Sequence, residues 1–245
     1  MSGGSATALG PNPAGAAAIA PGFIQIAGVI DAVEARLLLD CGVRYLGFPL
    51  RLPVNRPDLT ELDAAAIIRG LPEGTHGVLI TYLDRASDIV ALCAELGARI
   101  VQVHGAIAAA ELARLKTLDP GLSVIKSLVV GLREPAALEA EAERLAPWVD
   151  AFITDTFDPA TGATGATGRT HDWSVSRRLV ECQPRPVVLA GGLTPENVAE
   201  AIRQVRPAGV DSHTGVEGAD GRKSRDKVMR FVAAARAAFA ALARD

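Results

Sequence analysis

Aromatic side chains are scarce in this 245-residue chain, at 4%, although hydrophobic residues make up 49% of it. Core volume must therefore come from Ala, Leu, Val and Ile, which suits Ala-rich helices laid around an aliphatic sheet. Cysteine is nearly absent. Cys41, Cys93 and Cys182 are odd in number, far apart and set in helix-like stretches. They read as small buried hydrophobes of a reducing compartment, not as a disulfide framework. No Cys-x-x-Cys or His-x-x-x-His spacing occurs, so no metal site is expected. There is no excess of basic charge: the formal net charge is −3, which excludes a global field for nucleic acid while leaving room for a local anion patch. No apolar run reaches membrane-spanning length without a charge or a breaker. The expected setting is cytoplasmic, with no membrane or nucleic-acid partner and no cofactor.

Residues 1–22 have no charged side chain and no periodicity. Gly, Ala, Ser and Pro of this kind bury too little to offset their ordering entropy, and the basic n-region of a signal peptide is missing. The segment reads as a disordered leader, with residues 23–245 as one domain.

From residue 23 the text alternates. Aliphatic runs at 23–27, 44–48, 77–81, 99–103, 123–127, 150–154, 186–190 and 208–212 read as strands buried on both faces. Ala/Leu/Glu/Arg stretches at about 31–41, 60–70, 85–96, 107–117, 134–146, 174–182, 195–205 and 223–242 read as helices. Eight such pairs predict an α/β fold, a single (β/α)8 TIM barrel with a flexible N-terminal extension. A Rossmann-like sheet is the rival, weakened because no Gly-x-Gly-x-x-Gly follows the first strand.

Barrel active sites form at the C-terminal ends of the strands. That rule selects Ala27, Phe48 with Arg51, Thr81, His104, Lys126, Asp155, Ala190-Gly191-Gly192 and Ser212-His213-Thr214-Gly215. His76 falls at the opposite end and reads as a surface or structural residue. Gly191-Gly192 lets backbone approach a ligand, and Thr194-Pro195 then opens a helix whose N-terminus attracts anions. With Thr214 and Gly215, these glycines form an expected phosphate site. Asp155 is placed to act as a general acid, or else as a loop cap. His104 suits proton transfer or a buried hydrogen bond. Asp31 reads as a helix cap.

In chain order, Ile24-Gln25-Ile26-Ala27-Gly28-Val29, Gln102-Val103-His104-Gly105, Asp155-Thr156-Phe157, Ala190 to Asn197 and Gly215-Val216-Glu217 resemble phosphoribosylanthranilate isomerase, a tryptophan-pathway family. The resemblance covers about residues 23–235. It is specific over 186–217 and poor over 48–60. It implies a small phosphorylated substrate, a monomer or homodimer, and an Amadori rearrangement in which a phosphoribosylamine opens, loses its C2′ proton and becomes a 1-amino-1-deoxy-ribulose phosphate. Asp155 matches the family's general acid. Gly165 to Trp173 matches a loop that folds over substrate, so Gly168 and Arg169 become substrate-binding candidates. Arg56 falls where an Arg faces the anthranilate end, or is a solvated surface residue.

The departures are specific. The family opens with Lys-Ile-Cys-Gly, its Cys being the general base; here those positions hold Gln25 and Ala27. His213 replaces a Ser, and residues 49–55 differ. The reading favoured by these changes is an isomerase-like enzyme on a phosphorylated sugar or aryl-amine phosphosugar with altered chemistry, by lyase, aldolase or other isomerase steps. A true isomerase with His104 or His213 as substitute base, and a non-catalytic phosphate-ligand binding protein, are the alternatives. A thiol removed by engineering is a fourth, opposed by Gln25, His213 and the 49–55 changes.

Overall fold

Parallel strands buried on both faces need helices over one face and each other's side chains over the other, and that is how this chain resolves its aliphatic runs. The computed structural model describes residues 19–53, 59–158, 163–164 and 170–244. The strands are β1 Phe23–Ala27, β2 Tyr45–Pro49, β3 His76–Thr81, β4 Ile100–Val103, β5 Ser123–Val130, β6 Ala151–Asp158, the two-residue β7 Ala163–Thr164, β8 Val187–Leu189 and β9 Gly209–Ser212. The order is β5-β4-β3-β2-β1-β9-β8-β6, and β6 pairs back onto β5, closing eight parallel strands into a barrel. The short β7 turns back antiparallel onto the end of β6. Helices α1 Ala32–Asp40, α2 Glu61–Arg69, α3 Ala86–Leu96, α4 Ala109–Leu118, α5 Pro135–Leu145, α6 Trp173–Cys182, α7 Val198–Val205 and α8 Arg225–Leu242 surround it. Helix α8 packs on α7 and reaches α1, completing the ring.

The period of two along each strand sorts side chains into two cores. Ile26, Leu46, Leu79, Val101, Val124 and Phe152 point outward and pack against the helices. Phe23, Val78, Ile100, Ile125, Ile153 and Val188 fill the barrel. The N-terminal end is plugged by aromatic stacking. The Phe23 and Tyr45 ring centroids lie 4.1 Å apart, and His76 stacks on Tyr45 at 5.2 Å. His76 is therefore structural, as expected, and burial holds its pKa below the usual value. Residues 1–18 of the expected leader lie outside the described residues; Ile19 is buried with the barrel core, and the Gly22 N–H bonds the Ala208 carbonyl at 2.9 Å.

Three expectations need correction. Strands β5 and β6 do not end at 127 and 154 but continue their pairing through Val129 with Asp155 and Val130 with Thr156. Lys126 is consequently mid-strand, with the outward parity of Val124 and Leu128, and not at the barrel mouth. Cys182 is exposed, because it ends α6 on the solvent side, whereas Cys41 and Cys93 are buried; burial pushes the Cys93 thiol up to about 12. Helix α7 starts at Val198 with Asn197 as N-cap, three residues later than the Thr194-Pro195 signal suggested. Asp31 caps α1 as expected, accepting the Glu34 N–H at 2.7 Å. Among the described residues no helix is long and apolar enough to cross a membrane.

Lys126 carries a measurable cost. Its ammonium is buried, donates to the Ser127 carbonyl at 2.6 Å, and has its pKa lowered by desolvation to about 8. A lowered Lys pKa penalises the folded state at neutral pH by about 3 kcal/mol. The penalty is full below pH 8 and fades as pH rises towards the unfolded value of 10.5. Lys126→Met should therefore raise stability at pH 7 by about 1–3 kcal/mol. In urea denaturation the two proteins should converge in stability between pH 8 and 10.5.

Candidate active site

Two loops interlock at the C-terminal ends of β8 and β9. A Cβ on Gly215 would lie 1.9 Å from the Leu193 carbonyl oxygen, so only glycine lets these backbones meet. The Ser212 hydroxyl donates to the same carbonyl at 2.8 Å. Asn197 holds the first loop from within: its Nδ2 donates to the Gly192 carbonyl at 3.0 Å and its Oδ1 accepts the Thr194 N–H at 2.8 Å. The Glu196 N–H bonds Thr194 Oγ1. The N–H groups that were to come from a helix at 194–196 are thus partly consumed. Those of Gly191, Gly192 and Gly215 bond no other described residue. They and Thr214 are the groups on which the expected anion site rests.

His213 leaves β9 and lies over the turn after β1. A Cβ on Gly28 would come within 2.0 Å of His213 Nε2, and Gly28 has φ +82°. The imidazole thus covers the residue next to Ala27. Its Nε2 is 3.4 Å from Glu217 Oε1. Lys223, whose side chain is 1% exposed, bonds Glu217 Oε1 at 2.7 Å and the His213 carbonyl at 3.3 Å. Burial first, then the Lys223 charge, lower the His213 pKa to about 4. Desolvation thus disfavours the imidazolium of His213 in spite of the nearby Glu217 carboxylate.

Asp155 faces the same mouth from β6. Its Oδ2 is 3.6 Å from His104 Nδ1, with the His104 side chain buried and that of Asp155 13% exposed. Desolvation raises the Asp155 pKa, opposed by His104 and by the Thr156 N–H, which bonds Oδ1 at 2.8 Å. His104 Nδ1 also lies 3.2 Å from the Ser127 hydroxyl, and Tyr82 packs on its ring at 4.7 Å. His171 does not line this mouth as a proton-transfer group. It is half-buried between Thr156 Oγ1 at 3.0 Å and Ser176 Oγ at 2.6 Å, and desolvation lowers its pKa to about 4.

Of the residues expected from sequence, Asp155, His104, His213, Gly191, Gly192, Thr214 and Gly215 gather at one end of the barrel. Arg56, Gly168 and Arg169 lie outside the described residues. Arg51 turns away, with φ +52°, to a bidentate pair with Glu61 on α2. Beneath the mouth lies a set that the strand-end rule passed over: Gln25, Gln102, Ser127 and Asp211, all buried. Their signal was available as polar residues at inward parity inside Phe-Ile-Gln-Ile-Ala, Ile-Val-Gln-Val and Gly-Val-Asp-Ser.

A profile described as N-(5′-phosphoribosyl)anthranilate (PRA) isomerase matches residues 55–234. The chain belongs to this family. The match begins beyond β1 and β2, the strands around Gln25, Ala27 and the altered 49–55 segment. An N-(5′-phosphoribosyl)anthranilate isomerase 2 from Methanosarcina mazei is 38% identical over 211 residues, covering 85% of this chain and 92% of that protein. The isomerase of Haloferax volcanii is 37% identical, covering 88% and 93%. Among solved structures, the PRA isomerase of Thermotoga maritima superposes with a TM-score of 0.75 at 26% identity, covering 88% of this chain and 99% of that one. The Thermococcus kodakaraensis enzyme gives 0.71 at 31%, with the same coverage.

In this PRA isomerase family member the fit of His213 over Gly28 is open to direct test. Gly28→Ala adds a methyl where the imidazole sits and strains a positive φ. It should cost about 1–3 kcal/mol in urea denaturation. Gly74→Ala, at a turn with a similar positive φ but open space, separates backbone strain from ring displacement. Equal losses in the two variants would show that the His213 contact contributes nothing.

Proposed function

We propose that the chain isomerises N-(5′-phosphoribosyl)anthranilate, with Asp155 as general acid and His213 as the base that replaces the family thiolate. The placement of the His213 imidazole over Gly28, next to Ala27, carries this reading. The relatives are named as isomerases, and they give no support to the lyase or aldolase chemistry that Ala27 and Gln25 suggested by themselves.

The substrate phosphate would sit on the Gly191, Gly192 and Gly215 N–H groups and Thr214, which sets the ribose between the two sides of the mouth. Asp155 O–H gives its proton to the furanose oxygen as the C1′–O bond breaks, leaving an iminium. His213 then takes the C2′ proton, and that C–H electron pair forms the C1′=C2′ bond of the enolamine, which ketonises to the product. The balance is closed: one proton enters at the ring oxygen and one leaves C2′. A base with a pKa near 4 is weak. Phosphate dianion bound beside Lys223 would offset the charge that lowers His213 and so strengthen the base during turnover. His104, on the acid side, positions Asp155.

General acid or base assistance contributes about 10²–10⁴ in rate. Asp155→Asn and His213→Ala should each lower kcat by about that factor with KM changed little, followed by loss of anthranilate fluorescence. Ala27→Cys in the His213→Ala background should recover part of the loss. A wild-type chain that turns over no phosphoribosylanthranilate at high enzyme concentration would defeat the proposal. Thermal protection by ribose 5-phosphate without turnover would then leave a phosphate-ligand binding protein.

A further inference from the structure

Asp211 is a buried carboxylate of the barrel interior that the proposed reaction does not use. It pairs with Gln25 across β9 and β1, points into the barrel and is 8% exposed. Among the described residues its Oδ1, sealed from solvent, has no hydrogen-bond partner, and Gln25 Oε1 is in the same position. From Gln25 a chain of polar contacts crosses the barrel. Gln25 Nε2 donates to Gln102 Oε1 at 2.9 Å, and Gln102 Nε2 donates to Ser127 Oγ at 3.4 Å. Ser127 Oγ meets His104 Nδ1 at 3.2 Å, and that nitrogen is 3.6 Å from Asp155 Oδ2. The chain has a carboxylate at each end.

An amide cannot pass a proton along such a chain, but it fixes the chain's direction, because it accepts through oxygen and donates through nitrogen. In the direction seen, both amides donate towards Ser127. The Ser127 proton then goes to His104 Nδ1, which must present a lone pair. A lone pair 3.6 Å from Asp155 Oδ2 repels a carboxylate there and so favours a protonated Asp155. At the other end, desolvation and then Asp155 push the Asp211 pKa up, and the Gln25 amide opposes them in favour of the ionised form. Turning both amides over keeps every heavy atom near its place and reverses the logic. Asp211 O–H now donates to Gln25, Ser127 donates to Gln102, and His104 Nδ1–H faces an ionised Asp155.

We propose that Asp155 and Asp211 hold one proton between them, and that the direction of the Gln25-Gln102-Ser127-His104 chain decides which carries it. This rests on the proposed role of Asp155 as the acid and makes Asp211 the positioning residue that arms it. The charged groups around the pair agree with a single shared negative charge. Asp211 is faced by Asp155 from β6 and, more weakly, by Lys223 from the segment before α8, itself engaged with Glu217 and Glu34. Asp155 is faced by His104 from β4. A Lys at position 25 would hold Asp211 permanently ionised, whereas Gln25 lets it titrate.

The test is an NMR titration of the full-length chain without substrate, with 13C-labelled Asp carboxyls and 15N-labelled His rings. Asp155 should titrate in two steps, and His104 Nδ1 should change between lone pair and N–H alongside it. In Asp211→Asn, Asp155 should titrate in one step, with a midpoint at least about one pH unit below the upper step of the wild type. Asp155→Asn should act in the same way on Asp211, and it serves if the first variant fails to fold. Unchanged titration of the remaining carboxylate would overturn the inference. Because no turnover is measured, a chain that lacks isomerase activity still reveals whether the proton is shared. An active enzyme with uncoupled carboxylates loses this inference alone.

Discussion

Inside the barrel the polar side chains are closed off from bulk solvent, so they turn to one another. A buried group without a partner costs about 1–3 kcal/mol, more if charged. That constraint explains why Gln25, Gln102, Ser127 and His104 form a continuous chain and not scattered pairs. It also explains why the two acidic residues at its ends cannot be considered one at a time. The apolar layer below them, from Phe23 to Val188, supplies the dry surroundings that make each of these contacts matter. The site above takes its character from that floor.

Much of the architecture was legible in the sequence because continuous aliphatic runs and Ala-rich helices alternate with a regular spacing. The misjudged boundaries have physical causes. Val129 and Val130 extend β5 because β6 offers matching partners as far as Thr156, and no local pattern reveals a partner strand. Thr194-Pro195 has the grammar of a helix start. The Asn197 side chain, reaching back to Gly192 and Thr194, instead turns those residues into a separate loop and begins the helix itself. Lys126 was misplaced for a related reason: a rule about strand ends depends on where the strand ends.

The candidate site was legible around the strand ends, and the polar set one pleat deeper was passed over. His104 and His213 were found directly after β4 and β9, and Asp155 was found although β6 runs on past it to Asp158. Asp211 was passed over although it lies two residues before His213, because the search began at Ser212. The loss of the thiol at position 27 had argued for different chemistry. The geometry gives it another context, since His213 reaches over the neighbouring Gly28 and supplies a titratable group on the side of the mouth that Ala27 vacated.

The aromatic stack of Phe23, Tyr45 and His76, sealed further by Ile19, makes the barrel a cup and not a tube. Whatever enters must leave by the same rim. Traffic through one doorway cannot run in parallel: a departing product and an arriving substrate exclude each other, so a lingering product blocks the next cycle. The floor that keeps the polar chain dry therefore also makes emptying of the cup a step on which the rate of each further cycle depends.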